Sequence, residues 1–533
     1  MKLITEASAE KLRGGFYTPS VIADFILKWA FTGAENVDIL EPSCGDGIFL
    51  SQIRNNGFQF KSLKAIELDP TEYEKASALK SENTTIINYD FLEYCNKTNE
   101  KFDIIIGNPP YIRYQFFDKE QQTEAEKIFK SAKLKFSKLT NIWVSFVIGS
   151  SLLLKEEGKI GFVLPAEILQ VSYAKELRNF LANFYNKISI ISFEKLVFPN
   201  IQQEVVLLLC EKNNTQQHSI NHVELKDAND LLKFDLPRLE NNRKHIDFNN
   251  NKWTFYFLEQ EEINFLENVA LKYNIPLIKN FANVEVGITT GANNFFTINK
   301  DTVKDFGLEE YALPLVGRSV QVNSLIFSEA DWIENVNNDS KAYLVSFPSK
   351  TLKQLNGAKQ YIKFGESLDI HKGYKTGIRD FWYVVPSLKK SDALFVRRNH
   401  KYPKLVINEA SAYTTDTMHR VYIHSKVNKD SFVASYYNSL TFAFTEVCGR
   451  SHGGGVLELM PNEVESVLLP YHKNNHELIE KIDDMIRNKE DIEQILKITN
   501  KIILKENFGM SDYEISIAHS IWKKLMNRRI NRN

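Results

Sequence analysis

Short apolar segments alternate with segments of helical spacing through the first 165 residues, and this alternation constrains the fold more than any other feature. The apolar segments are Val37–Leu40, Leu63–Ile66, Ile86–Ile87, Phe102–Ile106 and Ile160–Leu164. Before them, apolar residues recur at helical spacing from Val21 to Trp29. Strands separated by helices join through right-handed crossovers, which predicts a mostly parallel, doubly wound α/β sheet with ligands at the carboxyl ends of its strands.

The alternation ends near the middle of the chain. Two asparagine-rich stretches, Lys212–His222 and Glu240–Lys252, indicate linkers. Short irregular runs over Trp253–Pro470 then predict an α+β or mainly β domain, and helical spacing after Asn474 predicts a helical tail. The expected boundaries are a first domain at 1–240, a second at 250–470 and a tail at 471–533.

Charge is unevenly distributed along the chain, whose formal net charge is -1. Residues 1–130 carry a net charge of −5, whereas residues 371–460 carry +6. The basic segment could therefore meet phosphates while the N-terminal part does different work. A solvated surface without any partner explains the same imbalance equally well.

Cysteine usage and hydropathy exclude several classes of protein. The four cysteines, Cys44, Cys95, Cys210 and Cys448, are too widely spaced for a CxxC-type clip, so we expect neither a metal site nor a disulfide framework. The longest apolar run, Trp143–Leu154, is shorter than the roughly 20 residues that span a bilayer. We therefore expect a cytoplasmic protein without a membrane partner.

A glycine-containing turn follows the first predicted strand, in the segment Glu41-Pro-Ser-Cys-Gly-Asp-Gly47. Glycine lets the backbone approach a ligand at the end of a strand. A dinucleotide fingerprint requires a third glycine where this chain has Leu50, so NAD binding is not expected. On its own the segment could equally be a tight turn without a ligand.

Acidic residues follow the next two predicted strands. Glu67 ends the second strand, and Asp90 precedes Phe91 after the third. A carboxylate at such a position can accept hydrogen bonds from ribose hydroxyls, and an acid beside an aromatic ring suits an adenine. Each residue alone could be a helix cap or a solvated strand end. Together with the glycine turn, they predict a site for an adenosine-containing cofactor.

The tetrapeptide Asn108-Pro-Pro-Tyr111 follows the fourth predicted strand. Pro109 and Pro110 stiffen the turn and lack N–H groups, which leaves the carbonyls free to accept hydrogen bonds. Asn108 and the Pro109 carbonyl form an acceptor pair for the two hydrogens of an aromatic amine, while Tyr111 offers a face on which a planar base can stack. The alternative is a cis-proline turn with no chemical role.

These motifs and their order resemble the adenine-N6 DNA methyltransferases of the TaqI-like type. That family has the gamma-type order, in which the cofactor motifs precede the NPPY motif and a specificity domain is C-terminal. The resemblance begins at Gly14–Pro19, and it implies S-adenosyl-L-methionine as the cofactor, with Asn108 between cofactor and target. The residues implied to hold the cofactor are Thr18, Glu41, Ser43, Gly45, Glu67, Leu68, Asp90, Phe91 and Asn108.

The same resemblance assigns the catalytic residues Asn108, Pro109, Pro110, Tyr111 and Phe198. Phe198 would face a flipped adenine from the side opposite Tyr111, although a core phenylalanine is the alternative for Val197-Phe198-Pro199. Three further segments are similar to parts of the TaqI-like specificity domain. They are Gly287–Gly291 with Phe296, Lys375–Arg379 and Gly449–Glu458.

The resemblance also implies an architecture and partners. Residues 1–240 would form a Rossmann-like methyltransferase domain, residues 250–470 an α+β target-recognition domain, and residues 471–533 a helical tail. The expected substrate is double-stranded DNA with a flipped adenine, modified within a restriction-modification system by a monomer. A separate restriction endonuclease is a candidate partner.

Other reactions fit the sequence less well. Cytosine C5 enzymes present a Pro-Cys dipeptide, and no cysteine here follows a proline. Cytosine N4 enzymes usually begin the tetrapeptide with serine, where this chain has Asn108. The remaining alternatives are an NPPY enzyme that acts on RNA or protein glutamine, and a catalytically idle DNA-recognition subunit. A fused nuclease is not expected, because Glu224-Leu-Lys226 lacks the upstream Pro-Asp of such sites.

Overall fold

The computed structural model describes residues 17–198, 203–246, 252–349, 358–452 and 454–531. Within these ranges the chain forms two compact units, residues 17–263 and residues 264–531. The first unit contains a nine-stranded sheet, whereas the second contains separate sheets of five, four and three strands. The mixed α/β fold class predicted from the sequence is confirmed.

The first unit alternates strands and helices along most of its length. Its strands are β1 (Asp38–Glu41), β2 (Ser62–Glu67), β3 (Thr84–Asn88), β4 (Phe102–Gly107), β5 (Leu154–Pro165), β6 (Lys187–Phe193), β7 (Val205–Glu211), β8 (Ser219–Leu225) and β9 (Lys244–His245). Its helices are α1 (Ser20–Ala30), α2 (Ile48–Asn55), α3 (Pro70–Ser77), α4 (Phe91–Lys97), α5 (Lys119–Ser131), α6 (Ile142–Leu152) and α7 (Lys175–Phe184). The five apolar segments identified in the sequence coincide with β1 to β5, except that Val37 lies one residue before β1.

The nine strands are ordered β3-β2-β1-β4-β5-β7-β6-β8-β9. Strands β1 to β5 are parallel, and β7 runs antiparallel between β5 and β6. Helix α1 packs with α2, while α4, α5 and α6 form a second group. The strand order changes direction between β1 and β4, and open sheets of this kind bind ligands at the carboxyl ends of the strands beside that point.

Side chains at the amino ends of the central strands form ion pairs with one another. Lys155 Nζ lies 2.8 Å from Asp38 Oδ2 on β1 and 2.8 Å from Asp103 Oδ2 on β4. Burial alone would raise the pKa of Asp38, but hydrogen bonds from Lys155, Ser62 and Lys61 lower it to about 2. We call Asp38, Asp103 and Lys155 the basal ion cluster. It lies at the opposite end of the strands from their carboxyl ends.

The predicted linker at Lys212–His222 is partly wrong. Its last four residues begin strand β8, which pairs in parallel with β6 from Lys187↔Ser219 onward. Polar residues are tolerated in this strand because they find partners there, as when Asn221 Nδ2 donates to Leu239 O at 3.0 Å. The second predicted linker, Glu240–Lys252, contains β9, and its residues 247–251 lie outside the described part of the chain.

The second unit mixes strands and helices and ends in helices, as predicted. Its strands are β10 (Ala282–Val286), β11 (Thr297–Ile298), β12 (Ala312–Val316), β13 (Ile326–Phe327), β14 (Tyr343–Val345), β15 (Ala393–Val396), β16 (Arg398–Asn399), β17 (Leu405–Asn408), β18 (Tyr413–Thr414), β19 (Met418–Ile423), β20 (Arg450–His452) and β21 (Val456–Glu458). Its helices are α8 (Gln260–Lys272), α9 (Asn293–Phe296), α10 (Lys300–Phe306), α11 (Glu329–Asn337), α12 (Lys359–Ser367), α13 (Tyr374–Gly377), α14 (Lys429–Tyr436), α15 (Ser439–Cys448), α16 (Pro461–Glu465), α17 (Ile479–Arg487), α18 (Ile492–Thr499) and α19 (Asp512–Ile530), with a π-helical stretch at Asn500–Asn507. The division between the units falls inside α8.

The three sheets of the second unit have the orders β10-β19-β15-β17-β13, β11-β14-β12-β18 and β16-β21-β20. An aromatic core forms part of this unit, where the rings of Phe295 and Tyr361 stack with centroids 4.5 Å apart. In the ranges that the structure describes, no helix of either unit is both long enough and apolar enough to cross a membrane.

A buried ion pair fixes the last helix of the second unit. Arg529 on α19 donates from Nη2 to Glu446 Oε1 at 2.7 Å and from Nε to Oε2 at 3.2 Å, and both side chains are almost completely buried. Arg529 Nη1 also donates to the Gly455 carbonyl. Removing one member of such a pair leaves the other charge buried without compensation.

We predict that Arg529→Met lowers the free energy of unfolding of the second unit by about 3–5 kcal/mol, because Glu446 loses its partner. Urea unfolding followed by circular dichroism measures this change. The matched control is Lys505→Met, which breaks the exposed pair with Asp512 and should cost less than about 1 kcal/mol. Equal effects of the two substitutions would contradict the structural role of the buried pair.

Candidate active site

Two turns meet at the carboxyl edge of the sheet, beside the point where the strand order changes direction. One follows β1 and contains the glycines, and the other follows β4 and contains Asn108-Pro-Pro-Tyr111. The two strands are neighbours, paired at Ile39↔Ile104 and Leu40↔Ile105. Ser43 Oγ donates to the Asn108 carbonyl at 3.3 Å, which joins the two turns directly.

The glycines of the first turn adopt a conformation that other residues rarely adopt. Gly45 has φ of 53° and Gly47 has φ of 87°. A Cβ on Gly47 would lie 2.7 Å from Leu79 Cδ1, whereas a Cβ on Gly45 would meet nothing within 4 Å. The backbone at Gly45 therefore borders open space at the strand edge, as a ligand-binding turn requires.

Glu67, at the end of β2, accepts one backbone N–H on each carboxylate oxygen. Gly45 N donates to Oε2 at 2.8 Å, and Asp69 N donates to Oε1 at 2.8 Å. Burial raises the pKa of Glu67, although these hydrogen bonds oppose the shift. Each oxygen keeps a second lone pair, so the carboxylate can still accept from two hydroxyl groups. The neighbouring Leu68 is 54% exposed and offers an apolar surface at the same edge.

Glu41, at the end of β1, is a buried carboxylate with unused acceptor capacity. Its side chain is nearly inaccessible, and Oε2 has no hydrogen-bond partner among the described atoms. Burial raises the pKa of Glu41 well above its ordinary value, and the charges of Glu67 and Asp46 add to the shift. An unpaired buried carboxylate is costly, so this position fits a ligand that brings a cationic donor.

Asp90 and Phe91 lie where β3 gives way to α4. Asp90 Oδ1 caps the helix by accepting from Leu92 N at 2.6 Å, and Oδ2 accepts from Gln121 Nε2 at 3.2 Å. Asp90 is therefore a helix cap, one of the alternatives that the sequence left open. Phe91 is 2% exposed and packs against Phe146, with ring centroids 4.8 Å apart.

A hydrogen bond joins the segment before α1 to helix α3. Thr18 is buried, and Tyr17 Oη donates to Glu72 Oε1 on α3 at 3.1 Å. The first residues of the predicted cofactor segment, 14–16, lie outside the described residues.

Asn108 and Tyr111 are joined by their side chains. Tyr111 Oη lies 2.8 Å from Asn108 Oδ1 and 3.1 Å from the Val163 carbonyl, so its single proton has two acceptors within reach. The Tyr111 ring packs against the core of the first unit, and burial of the hydroxyl raises its pKa. No cis peptide bond occurs in the described ranges, so the turn is not the cis-proline turn considered as an alternative.

Phe198 lies in the same hydrophobic core against which Tyr111 packs and is 7% exposed. Phe198 is therefore buried as a core phenylalanine would be, which is the alternative that the sequence left open for this residue. Pro199 and residues 200–202 lie outside the described part of the chain. A role for Phe198 against a target base stays a prediction.

Two of the three glycine-containing segments of the second unit contact each other. Arg379 Nη2 donates to Thr290 O at 2.6 Å and to Thr289 O at 3.3 Å. Gly291 has φ of +85°, and a Cβ there would lie 2.9 Å from Lys375 Cβ. The segments Gly287–Gly291 and Lys375–Arg379 are therefore one packed structure.

The third segment, Gly449–Glu458, includes the antiparallel pair of strands β20 and β21. Its Glu458 is buried within reach of two arginines and a histidine: Arg397 Nε at 3.0 Å, Arg398 Nε at 3.2 Å and His452 Nε2 at 2.9 Å. Burial alone would raise the pKa of Glu458, but Arg397, His452 and Arg398 lower it. Some of the basic residues here thus stabilise the three-stranded sheet.

Several contacts at the site could not be read from the sequence. The Val163 carbonyl on β5 and the Gln121 amide on α5 come from distant positions, and no motif marks either of them.

Among the residues that the structure describes, no group of three or more His, Cys, Asp or Glu side chains could hold a metal ion.

Comparison with known proteins identifies the family. Residues 42–198 match the Eco57I restriction-modification methylase, and residues 250–504 match the C-terminal domain of the Type II methyltransferase M.Eco57I. The Type II methyltransferase M.AccI of Acinetobacter calcoaceticus is 26% identical over 518 residues, covering 89% of this chain and 93% of that protein. The Type II methyltransferase M.HincII of Haemophilus influenzae is 30% identical over 227 residues, or 42% of each chain.

A solved structure agrees with this result at the level of the fold. The Type IIL restriction-modification enzyme MmeI, determined in complex with DNA, superposes with a TM-score of 0.55 at 12% identity, covering 98% of this chain and 80% of that one. The two matched domains follow the same order along the chain as the two structural units. The chain therefore belongs to the restriction-modification methyltransferase family.

Proposed function

We propose that this chain transfers a methyl group from S-adenosyl-L-methionine to N6 of an adenine in double-stranded DNA. The observation that carries the proposal is the meeting of the glycine turn and Asn108-Pro-Pro-Tyr111 at one edge of the sheet, joined by the Ser43–Asn108 hydrogen bond. This arrangement supports the proposal, because it would bring a bound cofactor next to an acceptor pair for an amine.

Residues in the glycine turn, at the neighbouring strand ends and before α1 fit the cofactor. Glu67 retains acceptor capacity on both oxygens for the two ribose hydroxyls, and the open space at Gly45 admits a ligand. Glu41 Oε2, which has no hydrogen-bond partner among the described atoms, would accept from the ammonium group of the methionine part. Ser43, Leu68, Asp90, Phe91, Thr18 and Asn108 complete the predicted set, with Asp90 also serving as a helix cap. S-adenosyl-L-methionine supplies an activated methyl group on a sulfonium.

The tetrapeptide supplies the amine-binding part. Asn108 Oδ1 and the Pro109 carbonyl would accept the two hydrogens of the adenine amine, which leaves the nitrogen lone pair directed at the methyl group. Tyr111 would stack on the adenine ring, because aromatic side chains hold flipped bases in this manner. Positioning supplies most of the rate enhancement, since the methyl donor is already activated. Pro110 keeps the turn stiff.

The relatives support DNA as the substrate. M.AccI and M.HincII are named Type II methyltransferases, RM.Eco57I of Escherichia coli is named a Type II restriction enzyme and methyltransferase, and MmeI was solved with DNA. We propose that the second unit recognises the target sequence and that the base is flipped out of the duplex for transfer. The basic segment 371–460 lies within that unit.

The decisive experiment incubates purified protein with unmodified duplex DNA and methyl-labelled S-adenosyl-L-methionine, followed by digestion to nucleosides. Label in N6-methyl-2′-deoxyadenosine is the expected result. Label in a cytosine product, in RNA or in protein would contradict the adenine assignment. DNA binding without any label would favour the catalytically idle recognition subunit.

We predict that Asn108→Ala lowers turnover by about 10²–10³-fold, because the amine loses one preorganised acceptor. Cofactor affinity, measured by calorimetry, should fall far less than turnover, because the other predicted cofactor residues are unchanged. Asn56→Ala removes an exposed asparagine of the same unit and should leave turnover unchanged. Normal turnover in Asn108→Ala would refute the role of this residue.

Tyr111 allows the ring to be tested separately from its hydroxyl. Tyr111→Phe keeps the ring and removes the hydroxyl near Asn108 Oδ1, so we expect turnover within about tenfold of the parent, the equivalent of one ordinary hydrogen bond. Tyr111→Ala removes the stacking face and should raise the KM for DNA by about ten- to a hundredfold. Steady-state kinetics with duplex DNA measures both. Equal losses in the two variants would contradict a stacking role.

Glu41→Gln tests the cofactor assignment. The neutral amide cannot pair with an ammonium group as a carboxylate does, so we predict about ten- to a hundredfold weaker binding of S-adenosyl-L-methionine. The melting temperature of the cofactor-free protein should not fall, because the substitution removes a buried acid that lacks a partner on Oε2. Unchanged affinity would remove Glu41 from the cofactor site.

A further inference from the structure

A lysine-rich loop follows helix α5. Residues 132–141, here called the lysine loop, contain Lys133, Lys135 and Lys138, and the chain has no acidic residue from Lys127 to Lys155. All three lysines of the loop are exposed. None of them forms an ion pair with a residue in the described ranges, although the same unit is otherwise rich in Lys–Glu and Lys–Asp pairs.

The lysine loop is bonded to the chain that leaves the tetrapeptide. Tyr114 N donates to Thr140 O at 3.0 Å, and Ile142 N donates to Ile112 O at 2.8 Å. Arg113 and Asn141 form an antiparallel bridge between these two bonds. Residues 112–114 follow Tyr111 directly, so the loop is attached to the proposed amine-binding site through a short backbone ladder.

The loop also has a fixed shape of its own. The Phe136 ring packs edge-on against Phe129, with centroids 5.0 Å apart, and against Tyr114 at 5.6 Å. Leu134 N donates to Phe129 O at 2.9 Å, and Thr140 N donates to Ser137 O at 3.0 Å. Alternate side chains therefore anchor the loop while the lysines between them face solvent. Such preorganisation lowers the entropy lost when a ligand is bound.

We propose that Lys133, Lys135 and Lys138 contact the phosphates of the DNA strand that carries the target base. This inference rests on the proposed function, since it assigns a DNA contact to the catalytic unit itself. The charges favour it, because residues 1–130 are net acidic and the loop gives a compact cationic surface beside Asn108-Pro-Pro-Tyr111. Leu139, 79% exposed at the end of the loop, adds an apolar surface next to these charges.

The test is a triple variant of the full-length protein, Lys133→Gln, Lys135→Gln and Lys138→Gln, assayed beside the parent. Each lost phosphate contact lowers the slope of log affinity against log salt by about 0.9, so we expect the slope for duplex DNA to fall by about 2–3. The KM for DNA should rise about ten- to a hundredfold at physiological salt, while the saturating rate stays unchanged. Cofactor affinity should also stay unchanged, which shows that the variant is folded.

Two controls keep the result specific. Replacing Lys80, Lys226 and Lys233, which are exposed elsewhere in the same unit, by glutamine should leave the salt slope unaltered. Replacing the three loop lysines by arginine keeps the charge and should restore both slope and KM. A loss of slope in the first control, or no restoration by arginine, would overturn phosphate contact by the loop.

The two proposals fail differently. If the parent protein does not methylate DNA, the proposed function is refuted, and this inference with it. If the parent methylates DNA and the glutamine triple variant has the same salt slope and KM, only the inference is refuted. Lower activity with an unaltered salt slope also refutes it, because the loop would then act through another contact, such as an acidic protein partner.

Discussion

The pairing of β1 with β4 is the constraint on which the candidate site depends. These strands are neighbours in the sheet although β2 and β3 separate them in the sequence. Their register sets the glycine turn beside Asn108, and the Ser43 hydrogen bond closes the remaining gap. Any shift of that register would separate the residues that we assign to cofactor and amine.

The chemistry of the site follows from what the strand ends leave unsatisfied. Glu67 is held by two backbone N–H groups and keeps acceptor capacity, while Glu41 is buried with one oxygen unpaired. Asn108 Oδ1 is within reach of the Tyr111 hydroxyl, so the amide is oriented before any base arrives. The sheet thus supplies acceptors at fixed positions, so the entropy of orienting them is lost on folding and not when the substrate binds.

Much of the first unit could be predicted from its sequence, because strands buried on both faces are continuous apolar runs. Strand β8 could not, since Asn221 and His222 are stabilised by Leu239 O and by Ser192, partners that no local pattern identifies. The position of Glu67 at the site could be predicted, because it ends an apolar run that the sequence identifies as a strand. The sequence could not predict the environment of Phe198, since a single aromatic residue after a strand suits a hydrophobic core and a binding face alike.

The pKa of Asp38 in the basal ion cluster and the pKa values of Glu41 and Glu67 in the site are shifted in opposite directions. Asp38 has a pKa of about 2, so the stability it contributes is present above its ordinary value of 3.8 and is lost only as the pH falls towards 2. Glu41 and Glu67 have raised pKa values and take up protons first as the pH falls. As the pH falls, acid therefore neutralises these two carboxylates of the site before it breaks the contacts of Asp38 at the other end of the central strands.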